Sequence, residues 1–394
     1  MRSPTRRAAL AVSVALLLVT AGCLGGTAPT GPSASPTPET AECTYDVSTN
    51  ASNATGTWSP NASVEQYPPG VADNGTLTNA STLLNAHFTV TANTSMALRL
   101  ESSRDNVVRT LVHGPDRTPF YSTWSETHDG EQFETEFYGT ESHGFARASK
   151  PNETLHFVYQ NVTSSVRAWT AYETFGGLED NIPLLYDGNY TVNGTVERGD
   201  RTLVELTLDE DSLGPDYTTN GTLLATPDGV VYDADVSVVK TSDDAPGQGF
   251  EASMSLNTDV EWCGPPSWVA DVPQLSLTIV EDGHAVEIRN TGGATLPANT
   301  SFSVYGKEEP VEPVGGPRVP VRSEQNGTVT TDVRLEPGEA VYVTAGADGT
   351  PSSFALHDDP TRGEYSFGAV GVTGGKESVG YRLLTGVTTP EWEE

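Results

Sequence analysis

The chain has 394 residues, enough for two domains of ordinary size, and its 53 acidic and 21 basic side chains give a net charge of −32. A surface this acidic repels the phosphates of nucleic acids, so nucleic acid is excluded as a partner. High charge is also typical of disordered chains, but alternating apolar strands recur from Phe88 to Leu384 and indicate a folded protein.

The first predicted element is a signal peptide over residues 1–22. Arginines at its start precede the apolar run 8–19, which is too short to span a bilayer. The sequence Thr20-Ala21-Gly22-Cys23 resembles a lipobox, in which cleavage precedes a cysteine whose sulfur carries a lipid, although Leu, Val or Ile usually stands in place of Thr20. The resemblance implies a lipid on Cys23 and a mature protein anchored to the extracellular face of the cell membrane. A plain secretory signal is the alternative.

A disordered tether is predicted for residues 23–64, which are rich in Thr, Pro, Gly and Ser. The chain contains thirteen Asn-x-Ser/Thr sequons, and an exported chain of this kind is a substrate for N-glycosylation. We expect a minority of the sequons to be occupied. The sites predicted to carry glycans lie near the tether: Asn50, Asn53, Asn61, Asn74 and Asn79.

Three cysteines occur in the chain. If Cys23 carries lipid, Cys43 and Cys263 remain, and outside the membrane they can oxidise to a disulfide. Two free thiols are the alternative.

The predicted first domain spans residues 65–263 and is mainly β. Apolar and polar residues alternate over 88–101, 190–196, 204–208, 230–238 and 252–262, with turn signals between most of these runs. Short helices are predicted over Asn79–His87, capped by Asn79 or Ser81, and over Ser164–Phe175. A strongly curved antiparallel sheet, a half-barrel with one or two short helices, is one way to bury these strands.

A helix–strand unit is followed along the chain by a strand–turn–strand unit, an order of elements similar to that of lipoprotein carriers of the LolA and LppX type. The segments that carry this resemblance are 83–90, 184–192 and 222–231. Together with the acidic, lysine-poor composition they also resemble haloarchaeal surface lipoproteins. The first resemblance implies that the domain holds a lipid or isoprenoid ligand between sheet and helix. The second implies a protein that folds in concentrated salt.

Aromatic residues cluster between Phe120 and Phe145. They are interpreted either as the core of the curved sheet or as the wall of an apolar pocket, for which a carrier needs concave apolar surface. The residues predicted to line such a pocket are Met96, Leu98, Phe133, Phe137 and Tyr138.

Gly264-Pro265-Pro266 marks a domain boundary. Beyond it, short alternating runs begin with Leu275, Val286, Phe302, Val333 and Val341, and the last strands are expected between Tyr365 and Leu384. This pattern predicts a small immunoglobulin-like β-sandwich over residues 270–390.

The motifs of serine hydrolases, zinc proteases, P-loops and dinucleotide-binding folds are absent from the sequence. His113, His128 and His143, with Asp116, Asp129 and Glu141, are generic in spacing, so neither a metal site nor a cofactor is predicted. The sequence therefore favours a non-enzymatic, lipid-anchored cell-surface protein that binds or carries a hydrophobic ligand. A structural or adhesive surface module without a small ligand is the alternative, and a secreted hydrolase is a third. No protein partner can be named from the sequence.

Overall fold

A computed structural model describes residues 58–59, 66–104, 106–128, 130–140, 143–160, 185–186, 188–198, 201–241, 248–258, 260, 262, 264–310, 326–347 and 351–386. The predicted signal peptide, nearly all of the tether, and the three cysteines lie outside these residues, as do Asn50, Asn53, Asn61 and the predicted helix Ser164–Phe175. In the described part of the chain, no helix has the length and apolar character needed to cross a membrane.

The protein is mainly β, as predicted, and divides into two compact units. The N-terminal unit contains the described residues of 58–136 and 185–262, and the C-terminal unit those of 137–160 and 264–386. The sequence analysis assigned residues 137–160 to the first domain, whereas the structure groups them with the C-terminal unit. The reason is a strand pairing, described below, that connects them with the end of the chain.

The N-terminal unit holds the helix α1 (Ala80–Thr91) and an antiparallel sheet in the order β1-β8-β9-β10-β11-β12-β2-β3-β4. Strands are numbered along the chain: β1 (Trp58–Ser59), β2 (Met96–Ser102), β3 (Val107–His113), β4 (Phe120–His128), β8 (Tyr190–Arg198), β9 (Arg201–Leu208), β10 (Tyr217–Ala225), β11 (Val231–Lys240) and β12 (Gly249–Asn257). The strand β5 (Glu131–Gly139) begins in this unit and ends in the other.

Helix α1 begins where the sequence predicts, because the Asn79 side chain accepts a hydrogen bond from the Thr82 N–H at 3.1 Å. The helix then continues to Thr91, so the prediction of a strand from Phe88 was wrong over its first four residues. The buried residues Leu83, Leu84, His87 and Thr91 follow helical spacing and form one buried face of α1. Tertiary burial of this face outweighs the strand propensity of the Thr-Val-Thr sequence at its end.

One face of this sheet, here called the inner face, is almost completely buried. Its residues Leu98, Leu100, Leu111, Leu206, Leu223 and Met254 are at most 2 % exposed. His113 shares this face, since Leu111 and His113 are two residues apart on β3. His87 of α1 accepts a hydrogen bond from the Val231 N–H of β11 and lies close to His113, which places α1 on the inner face. The opposite, outer face is mostly polar, except where Tyr121, Val260 and Trp262 pack on the buried Ala97 and Val112.

The C-terminal unit is a β-sandwich. One sheet has the order β6-β7-β20-β19-β15-β16 and the other the order β13-β14-β17-β18. The strands are β6 (His143–Lys150), β7 (Glu153–Gln160), β13 (Gln274–Val280), β14 (Ala285–Gly292), β15 (Ser301–Lys307), β16 (Asn326–Thr330), β17 (Ala340–Ala347), β18 (Pro351–His357), β19 (Ala369–Lys376) and β20 (Val379–Thr385). The predicted sandwich of residues 270–390 is therefore enlarged by β6 and β7.

Strand β20 pairs with β7 in parallel, with Val379 opposite His156 and Tyr381 opposite Val158. Gln160, at the end of β7, contacts the second sheet: its amide donates to the Leu277 carbonyl oxygen at 2.9 Å and accepts from the Leu277 N–H. The side chain thus bonds both backbone groups of Leu277 on the edge of β13 that faces away from β14. These contacts join residues 137–160 to the C-terminal unit.

Gly70 is the basis of the first prediction. Its φ of +90° suits glycine, and a Cβ at this position would collide with the carbonyl oxygen of Asn79, which caps α1. We expect Gly70→Ala to lower the free energy of unfolding by at least about 2 kcal/mol, because backbone strain and the collision add. Denaturant unfolding followed by circular dichroism measures the change.

Gly214→Ala is the matched control. Gly214 has a similar φ of +85°, but apart from its neighbours in sequence no atom of the described residues lies within 4 Å of the position its Cβ would take. The free energy of unfolding of this variant should fall only by the cost of the left-handed conformation, about 1 kcal/mol. Equal losses in the two variants would contradict the collision as the source of the larger effect.

Candidate functional site

The residues predicted to line an apolar pocket belong to different units. Met96, Leu98 and Phe133 belong to the N-terminal unit, whereas Phe137 and Tyr138 belong to the C-terminal unit. Met96 and Leu98 are fully buried in the inner face, and Phe137 and Tyr138 are 6 % and 7 % exposed. These four side chains are packed, which is the arrangement expected of core. A lipid ligand stays a prediction.

A different site is present on the outer face of the N-terminal unit. A groove of about 700 Å³ crosses β10, β11, β12, β2 and β3. We call it the outer-face groove. The strand registers arrange its residues in three parallel rows. The first wall is formed by Thr222, Asp235, Ser253, Glu101 and Val108, and the second wall by Asn220, Ser237, Glu251, Ser103 and Asn106. The floor is formed by Gly221, Val236, Ala252, Ser102 and Val107.

The alternation of side chains along a strand explains this arrangement. On β10, β11 and β12 the wall residues are two positions apart and point outward, while the residue between them points to the inner face and leaves its backbone as floor. Ser103 and Asn106 continue the second wall in the turn between β2 and β3. Asn220, Asp235 and Glu251 are accordingly exposed, whereas Val236 and Ala252 are 3 % and 5 % exposed. With neighbouring strands about 4.8 Å apart, five strands give a groove about 19 Å long.

The walls carry hydroxyl, amide and carboxylate groups, and none of the described lining residues is aromatic or basic. Two of the three carboxylates interact with arginines outside the groove. Arg99 Nε lies 2.5 Å from Glu101 Oε1, and the charge of Arg198 acts on Asp235. Partial burial of the carboxyl group raises the pKa of Asp235, and the charge of Arg198 opposes this effect. Arg198 also forms an ion pair with Asp233, so its charge is shared between two aspartates, and the groove combines many hydrogen-bonding groups with a partly compensated negative charge.

A second polar group lies beneath α1. The Val231 N–H donates to Nδ1 of His87 at 3.1 Å, and Nδ1 of His113 donates to the Gly114 carbonyl oxygen at 2.8 Å. Among the described residues, Nε2 of His87 has no hydrogen-bond partner. Burial, and then the charge of His113, lower the pKa of His87 to about 4. Burial also lowers the pKa of His113 to about 4, despite its hydrogen bond to Gly114. Both imidazoles are thus held neutral.

The histidines considered for a metal site are not brought together. His113 lies in the N-terminal unit and His143 in the C-terminal unit, while Asp129 and Glu141 lie outside the described residues. Within the described ranges, no group of three or more His, Cys, Asp or Glu side chains is placed to hold a metal ion.

The two predicted glycosylation sites within the described residues are both exposed. The Oδ1 atom of Asn74 accepts a hydrogen bond from the Thr76 N–H at 3.1 Å, and the Oδ1 atom of Asn79 caps α1. An N-linked glycan is attached at Nδ2, so these hydrogen bonds are compatible with modification. Whether the sites are occupied stays a prediction.

Sequence reasoning missed the outer-face groove. It recognised Glu101, Glu251 and Ser253 as outward-facing residues of separate strands. Their alignment depends on strand registers, for which the sequence contains no local signal.

No protein-family model matches the chain, and no curated protein sequence does. Among solved structures, the chain is similar to the crystal structure of MucB in complex with MucA(peri), with 12 % identity and a TM-score of 0.18 over 76 % of this chain and 90 % of that one. It is also similar to the complex of Pseudomonas aeruginosa MucA/MucB, with 12 % identity and a TM-score of 0.19 over 70 % and 92 % of the two chains. TM-scores this low do not establish a shared fold.

Proposed function

We propose that this chain is a non-enzymatic protein, lipid-anchored through Cys23 at the extracellular face of the cell membrane, and that its outer-face groove binds an extended, hydroxyl-rich polymer such as a surface polysaccharide. The observation that carries the proposal is the groove itself, an open channel across five strands whose walls carry hydroxyl, amide and carboxylate groups. The protein would act as an adhesive module of the cell surface.

The chemistry of the walls favours a carbohydrate over a cation. Ser103, Thr222, Ser237 and Ser253 present hydroxyls, and Asn106 and Asn220 present amides, each able to donate and to accept. Sugar hydroxyls require this combination. Glu101 and Asp235 already interact with arginines, and in molar salt the Debye length of about 3 Å screens attraction to a cationic ligand.

We expect each groove to bind weakly. Because no aromatic side chain is among its described lining residues, the stacking energy that many carbohydrate sites use is missing, and dissociation constants should be roughly millimolar. Many copies anchored in one membrane would compensate through multivalency.

The inner face makes the alternative, carriage of a lipid or isoprenoid, less favourable. A carrier needs open apolar volume between α1 and the sheet, but Leu83, Leu84, Met96 and Leu98 are fully buried. Lipid extraction and mass spectrometry of protein purified in molar salt would decide between the two functions. A stoichiometric lipid that survives gel filtration would support carriage, and a clean extract would leave the groove as the ligand site.

The groove proposal predicts the effect of Ser253→Trp. Ser253 lies on β12, the central strand of the five, so an indole at this position fills the channel. Binding of soluble oligosaccharides, measured by ligand-observed NMR in molar salt on protein made without N-linked glycans, should weaken at least tenfold, or about 1.4 kcal/mol.

Thr202→Trp is the matched control, since Thr202 is exposed on β9 and is not among the lining residues. It should bind like the unaltered protein. The proposal fails if no oligosaccharide in a panel of neutral and acidic chains binds, or if Ser253→Trp and Thr202→Trp bind equally well.

A further inference from the structure

One of the thirteen sequons lies in the outer-face groove. Asn220 and Thr222, the first and third residues of Asn220-Gly221-Thr222, stand in opposite walls, and Gly221 lies in the floor between them. Asn106, the other asparagine of the walls, is followed by Val107 and Val108 and is not a sequon.

The position of Asn220 suits an acceptor of glycan. Its side chain is exposed, and it lies on β10 beyond the pairing with β9, which covers Thr222 to Ala225. On its other side, Asn220 pairs with Ser237 of β11. Strand β10 is the first of the five strands that the groove crosses, so the channel leads away from Asn220 toward β3.

We propose that Asn220 carries an N-linked glycan and that this glycan lies in the outer-face groove, where it excludes other glycans. The glycosylation of Asn220 does not depend on the proposed function, but the competition between its glycan and other glycans rests on that function. The walls offer the attached sugars the same hydroxyl and amide groups that a separate chain would use. Attachment at one end makes occupancy intramolecular, so a weak site is filled by its own glycan.

The attachment step is a glycosyl transfer. The Nδ2 atom of Asn220 forms a bond to the anomeric carbon of an oligosaccharide linked to a lipid phosphate. The bond between that carbon and the phosphate oxygen breaks, the phosphate leaves with the electron pair, and Nδ2 gives up one proton.

The first test is glycopeptide mass spectrometry of the full chain from a host that glycosylates its exported proteins. The peptide containing Asn220 should carry hexose-based mass, and Asn220→Gln should remove it. Recovery of this peptide only in unmodified form would overturn the inference without touching the proposed function.

The second test locates the glycan. In molar NaCl, mild periodate should oxidise the Asn220 glycan more slowly in the unaltered protein than in Ser253→Trp, where the indole displaces it. Glycans at exposed sequons outside the groove, such as Asn93, should react alike in both proteins. Equal rates at Asn220 would show a glycan directed into solvent and would overturn the inference.

The third test measures competition. The glycosylated protein should bind soluble oligosaccharide about tenfold more weakly than its Asn220→Gln variant, whereas Asn93→Gln, which removes a sequon elsewhere, should change nothing. If Asn220→Gln and the unaltered protein bind equally, the competitive role is wrong. If neither the variant nor protein made without glycans binds any oligosaccharide, the proposed function fails, and the periodate result alone decides whether the glycan occupies the groove.

Discussion

The melting temperature is expected to rise by on the order of 20 °C between dilute buffer and molar KCl. The chain carries 53 acidic and only 21 basic side chains, so the folded state brings many carboxylates together with too few cationic side chains to neutralise them. Salt shortens the range of this repulsion to about 3 Å at 1 M, below the usual spacing of surface charges. Circular dichroism at increasing KCl concentration measures the change, and a melting temperature independent of salt would contradict the prediction.

A charge variant separates screening from a general effect of salt on apolar surface. Glu131, Glu153 and Asp209 are exposed, and replacing all three with lysine makes the net charge less negative by six. The variant should melt at a higher temperature than the unaltered protein in dilute buffer and at the same temperature in molar KCl. A constant difference between the two proteins at all salt concentrations would argue against charge repulsion.

Acid is expected to destabilise the N-terminal unit through the histidines beneath α1. The pKa values of His87 and His113 are about 4 in the folded protein, compared with 6.5 for an ordinary histidine. Between these values the unfolded chain binds more protons, so the free energy of unfolding falls as the pH is lowered. The contribution is complete above pH 6.5 and is lost as the pH approaches 4. One pKa unit corresponds to about 1.4 kcal/mol, so one histidine contributes about 3 kcal/mol.

His87→Gln tests this contribution, because glutamine does not titrate and its Oε1 can accept the hydrogen bond from the Val231 N–H. The difference in unfolding free energy between the unaltered protein and the variant should shrink by about 3 kcal/mol from pH 7 to pH 4. Taking the difference cancels the titration of the many carboxylates. Leu84→Ala removes a buried, uncharged side chain from the same helix, so its cost of about 3 kcal/mol should be the same at both pH values. A pH-independent cost of His87→Gln would contradict the prediction.

The sequence predicted strands well where one face of the strand is buried and the other is exposed to solvent. The runs beginning near Tyr190, Val204, Val230 and Ala252 match β8, β9, β11 and β12, because burial of one face requires strict alternation. It failed at residues 88–91, where the buried face of α1 is formed by His87 and Thr91, four residues apart, and Val90 is exposed. Thr89 and Thr91 donate hydrogen bonds to the Asn85 and His87 carbonyl oxygens there, a contact that threonine makes in helices.

Long-range pairing is the second source of error. The sequence analysis predicted no strand over residues 143–160, and the contacts of β6 and β7 with β20 and β13 assign them to the C-terminal unit. The outer-face groove depends on registers in the same way. Side-chain periodicity reports which face of a strand is buried, but it does not identify the strand that lies beside it.

The parallel pairing of β7 with β20 has a consequence for the order of folding. Strand β20 is the last described strand of the chain, and β7 precedes the whole second half of the N-terminal unit. The N-terminal unit can therefore close as soon as β12 has been synthesised, whereas β6 and β7 must wait, with an open edge, until the final strand arrives. Contacts this distant in sequence close slowly, because the loop entropy is lost before the contact is gained. Completion of the C-terminal unit should thus be the slow, final step of folding, and the interval before it is when this protein is most exposed to aggregation.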